Sequence, residues 1–357
     1  MEVTRRWADS GHGVTIFGPR TRGAPALPIA SDRPGLQYLG RGSRWTVFRA
    51  AHRYLRSHGH EYDRVLETVS TRPFAAHSIV GRKAVALYHQ TAEEVWDLEF
   101  PRPIAIWGRH VLEPSWIRQM RTAQVVANSP STAAALARFG VVCEVVVPPG
   151  CEAPAALTDR PGPSLYPRLL WVGRMVRTKR PEDALSAYAV IRESFPAATL
   201  DMVGSGYLHA QLAGLASHGV TFHGRVSEHL KRALMARADL LLLPGTREGW
   251  GIVAMEAAAH GVPVVAYDIP GLRDAIVDGS TGILVPPNAR ALAWASCRVL
   301  SDPALWRQLS EAATHRALAH SWERCTSDLL ACLNPHPHLL SALSSPPGHL
   351  NNECTVP

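Results

Sequence analysis

The sequence predicts an α/β protein of two domains, each built on a parallel sheet. Three observations carry that expectation. A chain of 357 residues exceeds the range in which a single core keeps growing. Apolar runs of strand length, such as Leu169–Val172 and the four leucines 240–243, alternate with helix-sized stretches. Between the runs around 238–244 and 261–267 lies a glycine turn followed by a helical pattern, which makes a parallel crossover unit. With 46% hydrophobic and 19% charged residues, the chain can bury substantial cores.

The elements follow in order. Tyr62 to Glu67 and Ala84 to His89 read as strands, as do Gln124 to Asn128 and Cys143 to Val147. Between the last two, Ser129 caps an alanine-rich helix that begins at Pro130, because its hydroxyl meets the exposed amides and alanine suits the interior. Pro148-Pro149-Gly150 closes a first domain of residues 1–151, and 152–167, rich in Pro, Ala and Gly, reads as a linker. The second domain, 168–320, starts with the strand at Leu169, and Pro181-Glu182-Asp183 opens its first helix. Two packing helices follow over 291–300 and 303–318, then a final helix over 321–333. The segment 334–357, with Pro-His-Pro-His and Ser-Ser-Pro-Pro-Gly, predicts a disordered tail.

Chemistry concentrates after the leucine run. Glu248 and Glu256 stand eight positions apart, around Gly249-Trp250-Gly251-Ile252. Glycines at a helix N-terminus let the backbone approach a ligand, and the unpaired amides there favour phosphate. At roughly 3.6 residues per turn, Glu256 faces back toward the same pocket as Glu248. A nucleotide-sugar has the matching layout, with phosphates on the glycines, sugar hydroxyls at one carboxylate and ribose hydroxyls at the other. Charged residues mostly sit solvated, but the strand-turn-helix context places these two where ligands bind such sheets. A second cluster points to the same pocket. The strand at Leu169 ends in Gly173-Arg174, and Lys179 follows five residues later. Two fixed cations beyond a strand end suit a diphosphate and would offset the charge that grows as one departs.

Gly173-Arg174 with Lys179, the Glu-Gly-Trp-Gly…Glu element and Gly261-Val262-Pro263-Val264-Val265-Ala266 resemble the retaining glycosyltransferases of family 4, which have the GT-B architecture. The likeness continues through Gly271 to Val277, Gly279 to Val285 and Ser321-Trp322-Glu323, and covers roughly residues 55–330. It implies two Rossmann-like domains facing across a cleft. By motif, Arg174 and Lys179 would bind the donor diphosphate, and Glu248 would contact the transferred sugar. Gly173, Gly249, Trp250, Gly251 and Ile252 would line the donor site, Glu256 would hold the ribose, and the turn at Arg225-Val226 would meet the base. His89, at a strand end of the first domain, would face the donor sugar across the cleft. Trp250 stands in place of the more usual Phe, and Asp274 in place of Glu.

The likeness also implies a departure at the N-terminus. Trp7 to Phe17 reads as the end of the family's first helix and its second strand, so the first strand and glycine loop are expected to be missing, leaving a sheet position unfilled. Either the start is internal to a longer protein, or the protein is a shortened form with impaired catalysis.

The expected function is metal-independent transfer of a sugar, with retention, from a UDP- or GDP-linked donor to a hydroxyl acceptor. No Asp-x-Asp occurs in the chain, and no cofactor is expected. The rival readings are a sugar phosphorylase or epimerase of the same architecture, a non-catalytic sugar-nucleotide binder or partner subunit, and a dinucleotide oxidoreductase suggested by Val203-Gly204-Ser205-Gly206 alone. A net charge of +7 favours acidic partners: the donor itself, a phosphorylated acceptor or an anionic membrane surface contacted peripherally. Nucleic acid is not expected, because the charge is spread and no such motif appears. Six cysteines without CxxC pairs predict reduced thiols in cytosol. Glu93, Glu94, Asp97 and Glu99 read as a solvated helical face, and Arg177 and Arg180 as solvated.

Overall fold

The computed structural model describes residues 2–20, 29–30, 33–152, 162–214 and 218–334. Most of the expected linker and all but the first residue of the expected tail lie outside them. Among the described residues, thirteen strands form three sheets. In the first, β1 (Val14–Gly18) pairs in parallel with β3 (Leu36–Gly40), which carries the short antiparallel β2 (Ile29–Ala30). The second holds β4 (Val65–Val69), β5 (Ala84–Tyr88), β6 (Gln124–Ala127) and β7 (Val145–Val146), all parallel and in that order. The third is parallel throughout, in the order β10-β9-β8-β11-β12-β13. Its strands are β8 (Arg168–Val172), β9 (Thr199–Val203), β10 (Val220–Gly224), β11 (Leu240–Leu243), β12 (Val264–Tyr267) and β13 (Ile283–Val285). The first half of the chain is thus divided between two sheets, of which β1 and β4 are terminal strands.

The helices that bear on the site are α1 (Glu2–Asp9), α2 (Glu94–Glu99), α3 (Pro130–Ala137), α4 (Pro181–Ser194), α5 (Glu228–Arg237), α6 (Ile252–Ala259) and α7 (Trp322–Leu333). Ser129 caps α3 by accepting the Thr132 amide at 3.1 Å. Among the described residues, no helix is long and apolar enough to cross a membrane, and five cysteines carry free thiols.

Alternation along β5 builds two cores from one sheet. Val85 and Leu87 pack with Val126, Trp7 of α1 and Cys325, Leu329 and Leu333 of α7. Ala86 and Tyr88 face the other way, onto Ile117, Met120, Val125 and Leu136. The last helix therefore covers the sheet of the first half, and the Trp7 indole donates to the Thr326 carbonyl at 3.2 Å. The second half has one larger core around β8, β11 and β12, whose four leucines are buried throughout, as a central parallel strand requires. The chain crosses between domains twice at one place. The Cys151 amide donates to the His320 carbonyl at 2.8 Å, and a Cβ on Gly150 would lie 2.4 Å from Trp322 Cα, so only glycine fits this crossing.

Glu67 on β4 is only 5% exposed, and burial pushes its carboxyl up to about 7, with the backbone of Phe74 to Ala76 pulling the other way. The unfolded chain ionises near the ordinary value while the folded carboxyl keeps its proton, so stability falls as pH rises from 4.5 to about 7. The shift corresponds to about 3 kcal/mol. Urea midpoints measured at pH 5 and pH 8 will show the parent losing stability of that order relative to Glu67→Gln. Parallel losses in the two proteins would contradict this assignment.

Candidate active site

The strand ends of the two domains meet at a seam, where Gly249 beside the Lys179–Glu248 pair abuts the His89 backbone. In the second domain, Gly173 and Arg174 follow β8, and Lys179 ends a 3-10 turn over Arg177–Lys179. Glu248 follows the neighbouring strand β11, which brings it onto Lys179 although 69 positions separate them. The two form an ion pair with about a fifth of each side chain exposed. Arg174 lies exposed at the end of its strand. Gly251 caps α6 with φ 89, a left-handed conformation natural to glycine, and Ile252 opens the helix half-exposed.

Glu256 is on the inner side of α6, where Lys231 of α5 pairs with its Oε1 at 2.9 Å. Its Oε2 is buried and has no hydrogen-bond partner among the described residues, so this oxygen is free to accept. Arg225 is exposed on the turn after β10, and Val226 packs against the second-domain core. The side chain of Trp250, between two buried glycines, is 4% exposed in that core, with its ring 5.4 Å from the His320 ring, so only its backbone is left to face a ligand.

On the first-domain side, His89 follows β5 and Asn128 follows its neighbour β6. Burial holds the His89 imidazole below the usual histidine range, which favours the neutral ring at neutral pH. Gly249 backs directly onto this pair. A Cβ there would lie 1.9 Å from the His89 carbonyl oxygen and 3.0 Å from Asn128 Nδ2. The buried Asn128 Oδ1 has no partner among the described residues.

Several side chains cross the seam that sequence reasoning did not assign. Asp274 accepts the Ser131 amide at 3.0 Å, so a second-domain carboxylate serves the N-terminus of first-domain α3. Glu99 accepts from the Thr178 amide at 3.1 Å and from the Tyr207 hydroxyl at 2.6 Å. Glu93 and Glu94 reach Arg247 at 3.3 and 3.5 Å. Glu93, Glu94 and Glu99 therefore make contacts between domains and are not a solvated face, whereas Asp97 pairs with Arg109 of its own domain and stays largely exposed. Arg180 is likewise engaged, pairing with Asp183 at 2.9 Å from a backbone with φ 47. Lys231 could have been suspected only from its helix facing α6. Among the described residues, no group of three or more His, Cys, Asp or Glu is placed to hold a metal ion.

Residues 161–316 match the family model described as glycosyl transferases group 1, and residues 1–153 match that of glycosyltransferase family 4. Glycogen synthase of Mycobacterium tuberculosis is 38% identical over 168 residues, which are 45% of this chain and 40% of that protein. The chain spans between 36 and 53% of the length of the curated relatives it matches. Sucrose-phosphate synthase from Thermosynechococcus elongatus superposes with a TM-score of 0.73 at 24% identity, covering 96% of this chain and 92% of that one. Anabaena Alr3699/HepE, solved with UDP and glucose, superposes with a TM-score of 0.68 at 18% identity over 94% of each chain. At these identities the two structures speak for the fold.

Proposed function

This chain belongs to glycosyltransferase family 4 and has the GT-B fold, and from that footing we propose that it transfers a sugar from a nucleotide diphosphate donor to an acceptor hydroxyl, with retention and without a metal. The observation that carries the reading is the meeting of Lys179 and Glu248 just after adjacent strand ends, with the next residue, Gly249, against the His89 carbonyl. A cation and a carboxylate held together there suit the two halves of one ligand. Lys179 turns to the diphosphate as it arrives, with Arg174 at the outer oxygens, and Glu248 is released to accept from sugar hydroxyls.

The remaining groups fit the rest of a nucleotide-sugar. Amides at Gly249 to Ile252 meet phosphate or sugar oxygens, while Glu256 Oε2, left open by Lys231, accepts from the ribose. The turn at Arg225-Val226 takes the base, and neutral His89 with Asn128 meets the sugar from the first domain. In the transfer, the acceptor oxygen bonds the anomeric carbon on the face from which the diphosphate leaves. The bond to the leaving oxygen breaks with its electrons, and a departing phosphate oxygen takes the acceptor proton. Lys179 and Arg174 offset the charge that develops. Among the fold neighbours, Alr3699/HepE was solved with UDP and glucose, which supports a UDP-type ligand.

Nucleoside diphosphate release from UDP- and GDP-sugars, offered glycan, lipid and small hydroxyl acceptors with and without EDTA, tests the reading. Release that depends on one donor and one acceptor and survives EDTA is expected. Release abolished by EDTA and restored by a divalent ion would remove metal independence, and no release with any combination would contradict transfer.

A further inference from the structure

Arg247, beside Glu248, reaches across the seam and is almost wholly enclosed, with 8% of its side chain exposed. Its Nε donates to the Thr91 carbonyl at 3.0 Å, and Nη2 donates to the Thr91 hydroxyl and to Glu93 Oε1 at 3.3 Å. Nη1 reaches Glu94 Oε2 at 3.5 Å. All four contacts fall on one first-domain segment, and that segment begins two residues after His89. Its conformation is built around the guanidinium. Glu93 holds φ 43, a left-handed conformation that costs a non-glycine residue energy unless its surroundings enforce it. The Thr91 hydroxyl, donating to Glu93 Oε1 at 2.7 Å, and Arg138, which donates to the same oxygen, complete the enforcement.

Three consecutive residues of the donor loop thus do three different things. Arg247 engages the 91–94 segment, Glu248 turns back to Lys179, and Gly249 rests on the His89 carbonyl. A shift of the loop relative to the first domain would move all three together. We propose that Arg247 is a positioning residue that locks the donor loop to the first domain, so that cleft closure and the placement of Glu248 opposite His89 are a single event. The planar fork of arginine is what lets one side chain serve a carbonyl, a hydroxyl and two carboxylates, and a lysine ammonium cannot reproduce it. Arg247 itself touches neither the Lys179 nor the Glu256 end of the pocket, so donor affinity is expected to survive its loss.

The kinetic half of this inference rests on the transferase reading, whereas the conformational half does not, and the test separates them. Small-angle X-ray scattering of the full chain without ligand will give a larger radius of gyration for Arg247→Ala than for the parent, with Arg247→Lys between them. The Kd of Arg247→Ala for UDP will differ from the parent's by less than about twofold, while its kcat in the transfer assay falls at least about tenfold, as expected when reacting groups are misplaced by roughly an ångström. Unchanged scattering, or UDP affinity that falls in step with kcat, would overturn the proposal. If the parent transfers no sugar, scattering alone decides for or against the lock. Should Arg247→Ala fail to fold, Arg247→Lys and Thr91→Val, which remove only the fork geometry or one acceptor, carry the same comparison.

Discussion

Glu248→Ala and Lys179→Ala each lower sugar transfer by about two to three orders of magnitude, the loss expected when a group aimed at developing charge is removed. Their effects on nucleotide binding differ in sign. In the free protein Lys179 is neutralised by Glu248, since the two form an ion pair with only about a fifth of each exposed. Removing the carboxylate leaves the cation without its partner and makes it a better seat for a diphosphate, so Glu248→Ala binds UDP or GDP at least as tightly as the parent. Removing the cation weakens that binding and strands Glu248 beside the phosphates, where like charges repel. The double variant is little slower than either single one, because both act on the same step. Steady-state rates together with titration calorimetry check this. Equal losses of nucleotide affinity in the two single variants would show that the pair is only a structural bridge.

Gly249→Ala reduces kcat by about a hundredfold through one methyl group. The added carbon would lie 1.9 Å from the His89 carbonyl oxygen, and a backbone atom cannot move aside as a flexible side chain can. The seam must then open by an ångström or more, a misplacement that costs on the order of 10² in rate. The contact lies between the domains and outside either core, so the melting temperature stays close to that of the parent. A rate within fivefold of the parent, measured on folded protein, would mean that the working enzyme never brings Gly249 onto His89.

What could be read from the sequence follows from burial. The strand at Leu240–Leu243 was legible because a central parallel strand is apolar on both faces. Strands β9 and β10 were not, since Thr199, Asp201, Thr221 and His223 interrupt them toward the sheet edge, where one face meets solvent and where His223 and Asp201 pair at 2.6 Å. The meeting of Lys179 and Glu248 was legible because each sits within a short motif just after a strand end, and the two strands are neighbours. Contacts across the seam leave no such local trace. Arg247 and Thr91 are 156 positions apart, and nothing around Glu93 distinguishes a carboxylate enclosed by two arginines from one in water. At Trp250 the motif marked the position but not the direction of the side chain, which packs into the second-domain core.

We propose that Lys179, Glu248 and Glu256 together receive a nucleotide diphosphate sugar. The most direct measurement is calorimetric titration of the parent and Glu256→Ala with UDP, GDP and their glucose and mannose conjugates. One saturable site, selective for one base and weakened at least tenfold in Glu256→Ala, is the predicted result. No binding of any nucleotide by the folded parent, or an affinity indifferent to Glu256, would contradict the account.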